Sequence, residues 1–296
     1  MKIKLSQLTS LAESIGDSAV MVRIVLALTF TGMFFVMTMP TTTFAASKTN
    51  QIRISYVPPE EPELLEVSNW VKERRPLEKL QEFLSPFRLP RTLEITVKGC
   101  DGEADAFYSD HVITICYEYI QTLRDNAPAE TTPAGVAPID AIQGPFFDTC
   151  LHEFAHALFD MLKLPVLGRE EDAADRVAAF IYLQLGFAES RRLIMGTAYA
   201  YLAEASKVEL PLSLKDLADE HSTPAQRGFN VLCIAYGANT KLYEEFVSNG
   251  YLPEKRAMAC EEDYELIQDG YETLVWPHID QDMAKEIFKR DWLREQ

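Results

Sequence analysis

Apolar residues along this chain recur with two different periods, and the switch between them organises it. An apolar run without charge from Ile24 to Met39 comes first, preceded by Arg23. Over 63–84, Leu64, Val67, Trp70 and Val71, then Leu77, Leu80 and Leu84, fall at helical spacing. Pro76 lies between the two sets and predicts a break or kink. The period then drops to two: Leu93, Ile95 and Val97 predict a strand over Leu93–Lys98, and a second is predicted over Val112–Tyr119. Residues 126–140 form a loop rich in Pro, Ala and Thr. From Phe146 onward the pattern is helical, interrupted near Pro165–Gly168, Pro211, Pro224, Gly250–Pro253 and Trp276–Pro277. This order predicts one α+β domain over 63–296, a small β-sheet followed by a helix-rich C-terminal half.

The leading segment reads as an address. A positive flank, an apolar core shorter than the roughly 20 residues of a span, and the small-residue exit PTTTFAAS make residues 1–45 a secretory signal peptide. Cleavage is expected after Ala45, and an uncleaved N-terminal anchor is the alternative. Glu13 and Asp17 dilute the positive region, and Met21 would open a more ordinary signal. Residues 46–62, ending in YVPPEEP, predict an extended leader. The protein is then expected in the bacterial periplasm or outside the cell, with no stable membrane span after cleavage.

Export changes how the five cysteines read, because an oxidising compartment permits disulfides. Cys100 and Cys116 bracket a predicted strand–turn–strand, where a hairpin staple would fit. Cys233 and Cys260 lie in the helical half and form the second candidate pair, which leaves Cys150 alone. Five buried free thiols are the competing reading.

Composition narrows the partners. Hydrophobic residues at 47% and charged residues at 25% exclude a disordered chain and a multi-span membrane protein. With 28 Lys and Arg against 45 Asp and Glu, the net charge of -17 argues against nucleic acid. The acidity lies in the part that folds.

The chemistry concentrates in CLHEFAHALFDMLKLPVLGREEDAADRVAAF, Cys150–Phe180. It holds an HExxH pattern, His152-Glu153-Phe154-Ala155-His156, flanked by an apolar helical stripe. Residues four apart share a helix face, so both imidazoles can reach one ion, zinc by preference. Glu153 stands beside that ion and can act as general base on metal-activated water. An ordinary helix with a satisfied His pair is the bland alternative. Cys150 lies about 200° around the helix from His152 and faces away.

A third ligand must come from elsewhere. Asp160 would sit about 12 Å along the axis from His152, too far to share an ion. It is expected to cap, to pair with a base or to orient a ligand. The break at Leu164–Gly168 can turn the chain back, and Glu171 and Asp175 then fall on one face of a second helix. Ala173, Ala174, Ala178 and Ala179 let that helix lie close to the first. Glu171 is the candidate third ligand, with Glu170, Asp172 and Asp175 as alternatives. Asp175 is placed to accept a hydrogen bond from a ligand histidine. A solvated, dipole-favoured helix start is the competing reading of these acids.

HEFAH followed by Glu171-x-x-x-Asp175 resembles the gluzincin metallopeptidases, whose third ligand comes from such a helix. The stretch HEFAHALFDMLKLPVLGREEDAAD is similar to the DUF4344 metallopeptidase family, as are DEHS at Asp219–Ser222 and QRGFNVLCIAYG at Gln226–Gly237. That resemblance covers residues 52–276. It implies a zincin-like fold and a zinc-dependent peptidase with one Zn2+ per chain, acting on a peptide or protein substrate. The short interval between His156 and Glu171 argues against a large inserted subdomain.

His221 is a candidate for stabilising the oxyanion of a tetrahedral intermediate, weighed against a loop histidine with a local hydrogen bond. Tyr199 and Tyr201 are rival donors that read better as core aromatics, and His111 and His278 read as surface residues. An edge strand over Val112–Tyr119 could pair with an extended substrate, unless it is central and buries Ile113 and Ile115. Two other functions remain in view. One is a non-catalytic zincin-fold binding protein, favoured if Glu153 is locked to Arg169. The other is a zinc hydrolase of a non-peptide amide or ester.

Overall fold

A computed structural model describes residues 51–208, 211–214 and 216–293. The signal peptide over 1–45 and the first residues of the expected leader lie outside the described residues. Among the described residues no helix is long and apolar enough to cross a membrane.

The described residues open with strand β1, Ile52–Tyr56, followed by helices α1, Leu65–Arg74, and α2, Pro76–Phe83. Arg75 between them takes a left-handed φ of 51°, and Pro76 starts α2 where its missing N–H costs nothing. The expected break at Pro76 is therefore a change of helix. Strands β2, Leu93–Lys98, β3, Ala106–Ser109, and β4, Val112–Cys116, complete a four-stranded sheet in the order β1-β2-β4-β3. β1, β2 and β4 are parallel, and β3 runs antiparallel to β4. Leu93, Ile95, Val97, Ile113 and Ile115 are buried on one face, and Thr96 and Thr114 on the other, as expected of strands covered on both sides.

Three expectations change here. β1 falls within the segment read as a leader, so the folded domain begins before residue 63; Ile52 packs into the core and pairs opposite Leu93. The second strand stops at Cys116 instead of Tyr119, because Tyr117, Ile120 and Leu123 bury one face of helix α3, Tyr117–Asn126. The hairpin is not β2 with its successor. It is β3 with β4, joined by Asp110 and His111, both at positive φ (51° and 66°), the conformation that a two-residue turn with matching twist requires. Strand β3 went unread because its four residues alternate only between partly and fully exposed.

Both expected cysteine pairs are bonded, Cys100–Cys116 and Cys233–Cys260, while Cys150 is free and buried. The first bond ties the loop after β2 to the end of its parallel neighbour β4, where Lys98 pairs with Cys116. Two disulfides fit an oxidising, exported setting.

The remainder is helical: α4, Asp140–Leu162; α5, Glu170–Tyr182; α6, Phe187–Ala205; α7, Pro224–Ala238; α8, Glu245–Ser248; α9, Glu254–Ala257; α10, Cys260–Leu274; and α11, Gln281–Ile287. Helix α4 starts earlier than the apolar pattern suggests and carries Pro145 within it. It runs between the sheet and the other helices, touching β3 and β4 on one side and α5 and α6 on the other. Against α6 the approach is backbone to backbone. A Cβ on Gly196 would lie 2.0 Å from the Asp140 carbonyl oxygen, and one on Gly144 would lie 2.6 Å from the Thr197 nitrogen. α4 is thereby packed on two sides, with its first turns locked against α6.

Candidate metal centre

Helix α4 ends at Lys163, which adopts a left-handed φ of 55°, and the chain turns back through Gly168 at φ 126° into α5. Ala174, Ala178 and Ala179 are fully buried where α5 meets its neighbours. This close approach brings Glu171 to the histidines. His152 Nε2 lies 3.1 Å from His156 Nε2 and 3.0 Å from Glu171 Oε2, and the His156–Glu171 distance is 3.4 Å.

The other ring nitrogens are also occupied. His152 Nδ1 lies 2.8 Å from Asp175 Oδ1, and His156 Nδ1 lies 2.9 Å from Glu170 Oε1. A carboxylate on Nδ1 holds the proton there and leaves Nε2 as a lone pair. Two such lone pairs facing each other at 3.1 Å need a positive charge between them, a proton when no ion is bound or a metal ion in its place. Ligands about 2.1 Å from a tetrahedral ion stand about 3.4 Å apart, close to the observed separations. Donor chemistry and spacing both fit a divalent metal held by His152, His156 and Glu171.

Electrostatics agree that positive charge belongs here. Burial pushes His152 down, yet Asp175 and Glu171 raise it to about 9. The His152 contact holds Glu171 at about 2 against burial. Asp175, pushed up by burial, is brought to about 2 by His152 and Arg227. Glu153 differs: it is buried, has no hydrogen-bond or ion-pair partner among the described residues, and burial pushes it up to about 7. A carboxyl near neutrality can take and return a proton at working pH.

His221 also arrives at this cluster. Arg169 donates to the carbonyl oxygens of Asp219 and His221, and Ser222 donates to Asp172 at 2.6 Å. Clasped in this way, His221 places Nε2 2.8 Å from Glu171 Oε2, with its ring stacked 5.9 Å from that of His152. Arg169 thus serves the backbone of the 219–221 turn and is not the partner of Glu153.

Other candidates lie elsewhere. Tyr201 donates its hydroxyl to buried Asp148 at 3.0 Å and is committed to the core. Asp160 accepts from Tyr108 of β3 at 2.7 Å and pairs with Lys163 at 2.9 Å, so it fastens the edge strand to α4. Cys150 is buried and its thiol is pushed up by that burial. The cluster of Cys100, Cys116 and Glu118 is no metal site, since both sulfurs are in the disulfide. Sequence reading missed Glu170 as the partner of His156 and gave no role to Arg227, which grips Asp175 from α7. Neither carries a spacing signal, because each contact is made between helices.

Two histidines and a carboxylate around one point, with a partner-free glutamate alongside, define a candidate centre for metal-assisted hydrolysis. Residues 56–275 match the DUF4344 family, described as "Putative metallopeptidase", and the chain belongs to that family. The family description points to a hydrolase and implies a metal. No curated protein and no solved structure matches the chain.

Proposed function

We propose that the protein is an exported zinc-dependent metallopeptidase with a zincin-like active site. His152, His156 and Glu171 would hold one Zn2+ per chain. The observation that carries the reading is the facing pair of Nε2 atoms, 3.1 Å apart, with a carboxylate on each Nδ1. The ion, when bound, would polarise a scissile carbonyl and lower the pKa of water toward about 7. Glu153 takes the proton of the attacking water on its carboxylate and delivers it to the departing amide nitrogen. Asp175 keeps the Nδ1 proton of His152 in place. His221, itself partly exposed and with Nε2 2.8 Å from Glu171 Oε2, supplies an N–H to the developing oxyanion once Glu171 is committed to the metal.

The substrate is an extended peptide or protein segment. β4 is central, so the pairing edge expected of it belongs instead to β3, whose outer side has no strand partner among the described residues. Tyr108 and Asp160 keep that edge alongside α4. A peptide strand laid against β3 would pass the metal site with its backbone paired. The charge of -17 argues against nucleic acid as substrate.

Zinc content and peptide-library hydrolysis of wild type, Glu171→Ala and Glu153→Gln test the reading. Wild type should carry about one zinc per chain, and Glu171→Ala should lose it. Glu153→Gln should keep its zinc and lose about 10²- to 10⁴-fold in hydrolysis. Wild type without zinc after reconstitution rejects the site. Zinc with cleavage of amides or esters but not peptides would identify a non-peptide hydrolase, and zinc without any turnover a binding protein.

A further inference from the structure

Arg227 stands on α7, a different helix from the one carrying HEFAH and from α5, yet its side chain ends beside the site. Its Nε donates to Asp175 Oδ2 at 2.8 Å and its Nη2 to Asp175 Oδ1 at 2.6 Å. Both side chains are mostly buried, at 18% and 13% exposure, so water is a poor substitute for this fork. The guanidinium lies 4.6 Å above the Tyr201 ring, and Tyr201 is itself anchored to Asp148 on α4. Arg227 is thus fixed from behind before it reaches Asp175.

The geometry limits what Asp175 can do. A carboxylate held by one hydrogen bond can rotate about its last torsion, whereas one held at both oxygens by a planar fork cannot. Oδ1, which accepts from Arg227, also meets His152 Nδ1 at 2.8 Å. The plane set by Arg227 therefore sets where the His152 proton sits and where its Nε2 points.

We infer that Arg227 is a positioning residue for the metal centre, acting through Asp175 on His152 to set the affinity for the ion. The inference rests on the metal-site reading above. It differs from a purely structural tie between α5 and α7, which would alter stability without altering the affinity of the folded protein.

The test is Zn2+ affinity of the purified protein, by competition with a chromophoric chelator, for wild type, Arg227→Gln, Arg227→Lys, Asp175→Asn and the Arg227→Gln/Asp175→Asn double variant. Partners of metal-ligating histidines contribute about 10- to 100-fold in affinity. Arg227→Gln should weaken binding about 10-fold, and Arg227→Lys, which keeps the charge but not the fork, by less. The double variant should bind no more weakly than Asp175→Asn alone, since both changes break one chain of contacts. Wild-type affinity in folded Arg227→Gln, or losses that add in the double variant, overturn the inference. If Arg227→Gln loses its helical circular dichroism, Arg227→Lys decides, and wild-type affinity in that variant overturns it. Wild type that binds no Zn2+ rejects the underlying metal site instead, so the two failures are distinguishable.

Discussion

At the scale of single residues, the polar side chains around His152 divide into those on the motif and those that reach it. His152, Glu153 and His156 could be read from their spacing, since a helix dictates which residues share a face. Glu171 and Asp175 could be read with the turn at Gly168 as the only added assumption. Asp148 could not. It sits one turn before His152, almost wholly buried, with Tyr201 on one oxygen and no partner on the other. Burial, with the nearby charge of Asp175, pushes its carboxyl up to about 6. An acid whose folded pKa exceeds its unfolded value of about 4 opposes folding once ionised. The penalty is absent below about pH 4, grows between about 4 and 6, and is complete above that. At about 1.4 kcal/mol per unit, it is on the order of 2–3 kcal/mol. Asp148→Asn, which can still accept from Tyr201, should therefore gain on the order of 2 kcal/mol at about pH 7.5 and little at about pH 4. Urea unfolding at the two pH values reads this out, and equal effects at both would reject the account.

At the scale of elements, the helices were legible and the sheet only partly so. Long helices repeat their apolar stripe several times, whereas a four-residue edge strand such as β3 has no repeat to offer. Strand order is not a local property either. β2 and β4 are consecutive in apolar pattern, which suggested a hairpin, yet they are parallel, because the antiparallel β3 intervenes and returns the chain. The Cys100–Cys116 bond spans that excursion, with a separation of 16 residues. Closing a loop of that size removes about 3 kcal/mol of unfolded-chain entropy. The Cys100→Ser/Cys116→Ser variant should thus unfold about 3 kcal/mol more easily, seen as a lower urea midpoint. An unmoved midpoint would show that the sheet needs no staple.

At the scale of the whole molecule, the candidate site is where four helices meet. α4 brings His152 and His156, α5 Glu171 and Asp175, α7 Arg227, and α6 the Tyr201 ring beneath it. Such a cluster of buried charge is costly when incomplete, and an ion bound only by the folded state stabilises it by mass action. Zinc at a thousandfold excess over its dissociation constant would add about 4 kcal/mol. Chelation should accordingly lower the melting temperature by several degrees, with recovery on adding back Zn2+. A melting temperature indifferent to chelator would count directly against the proposed metal.

What the sequence alone determined is whatever depends on the period of one helix or the order of strongly patterned segments. That covers the α+β class, the break at Pro76, the strand Leu93–Lys98, and the shared faces of His152 with His156 and of Glu171 with Asp175. It also covers the two cysteine pairs, drawn from their order along the chain. Tertiary structure alone decided that Ile52–Tyr56 belongs to the sheet, that β3 is one of its edges, and that Arg227 closes on Asp175 with Glu170 on His156. These contacts join residues whose separation in the chain has no period, so only the packing together of elements distant in sequence could make them.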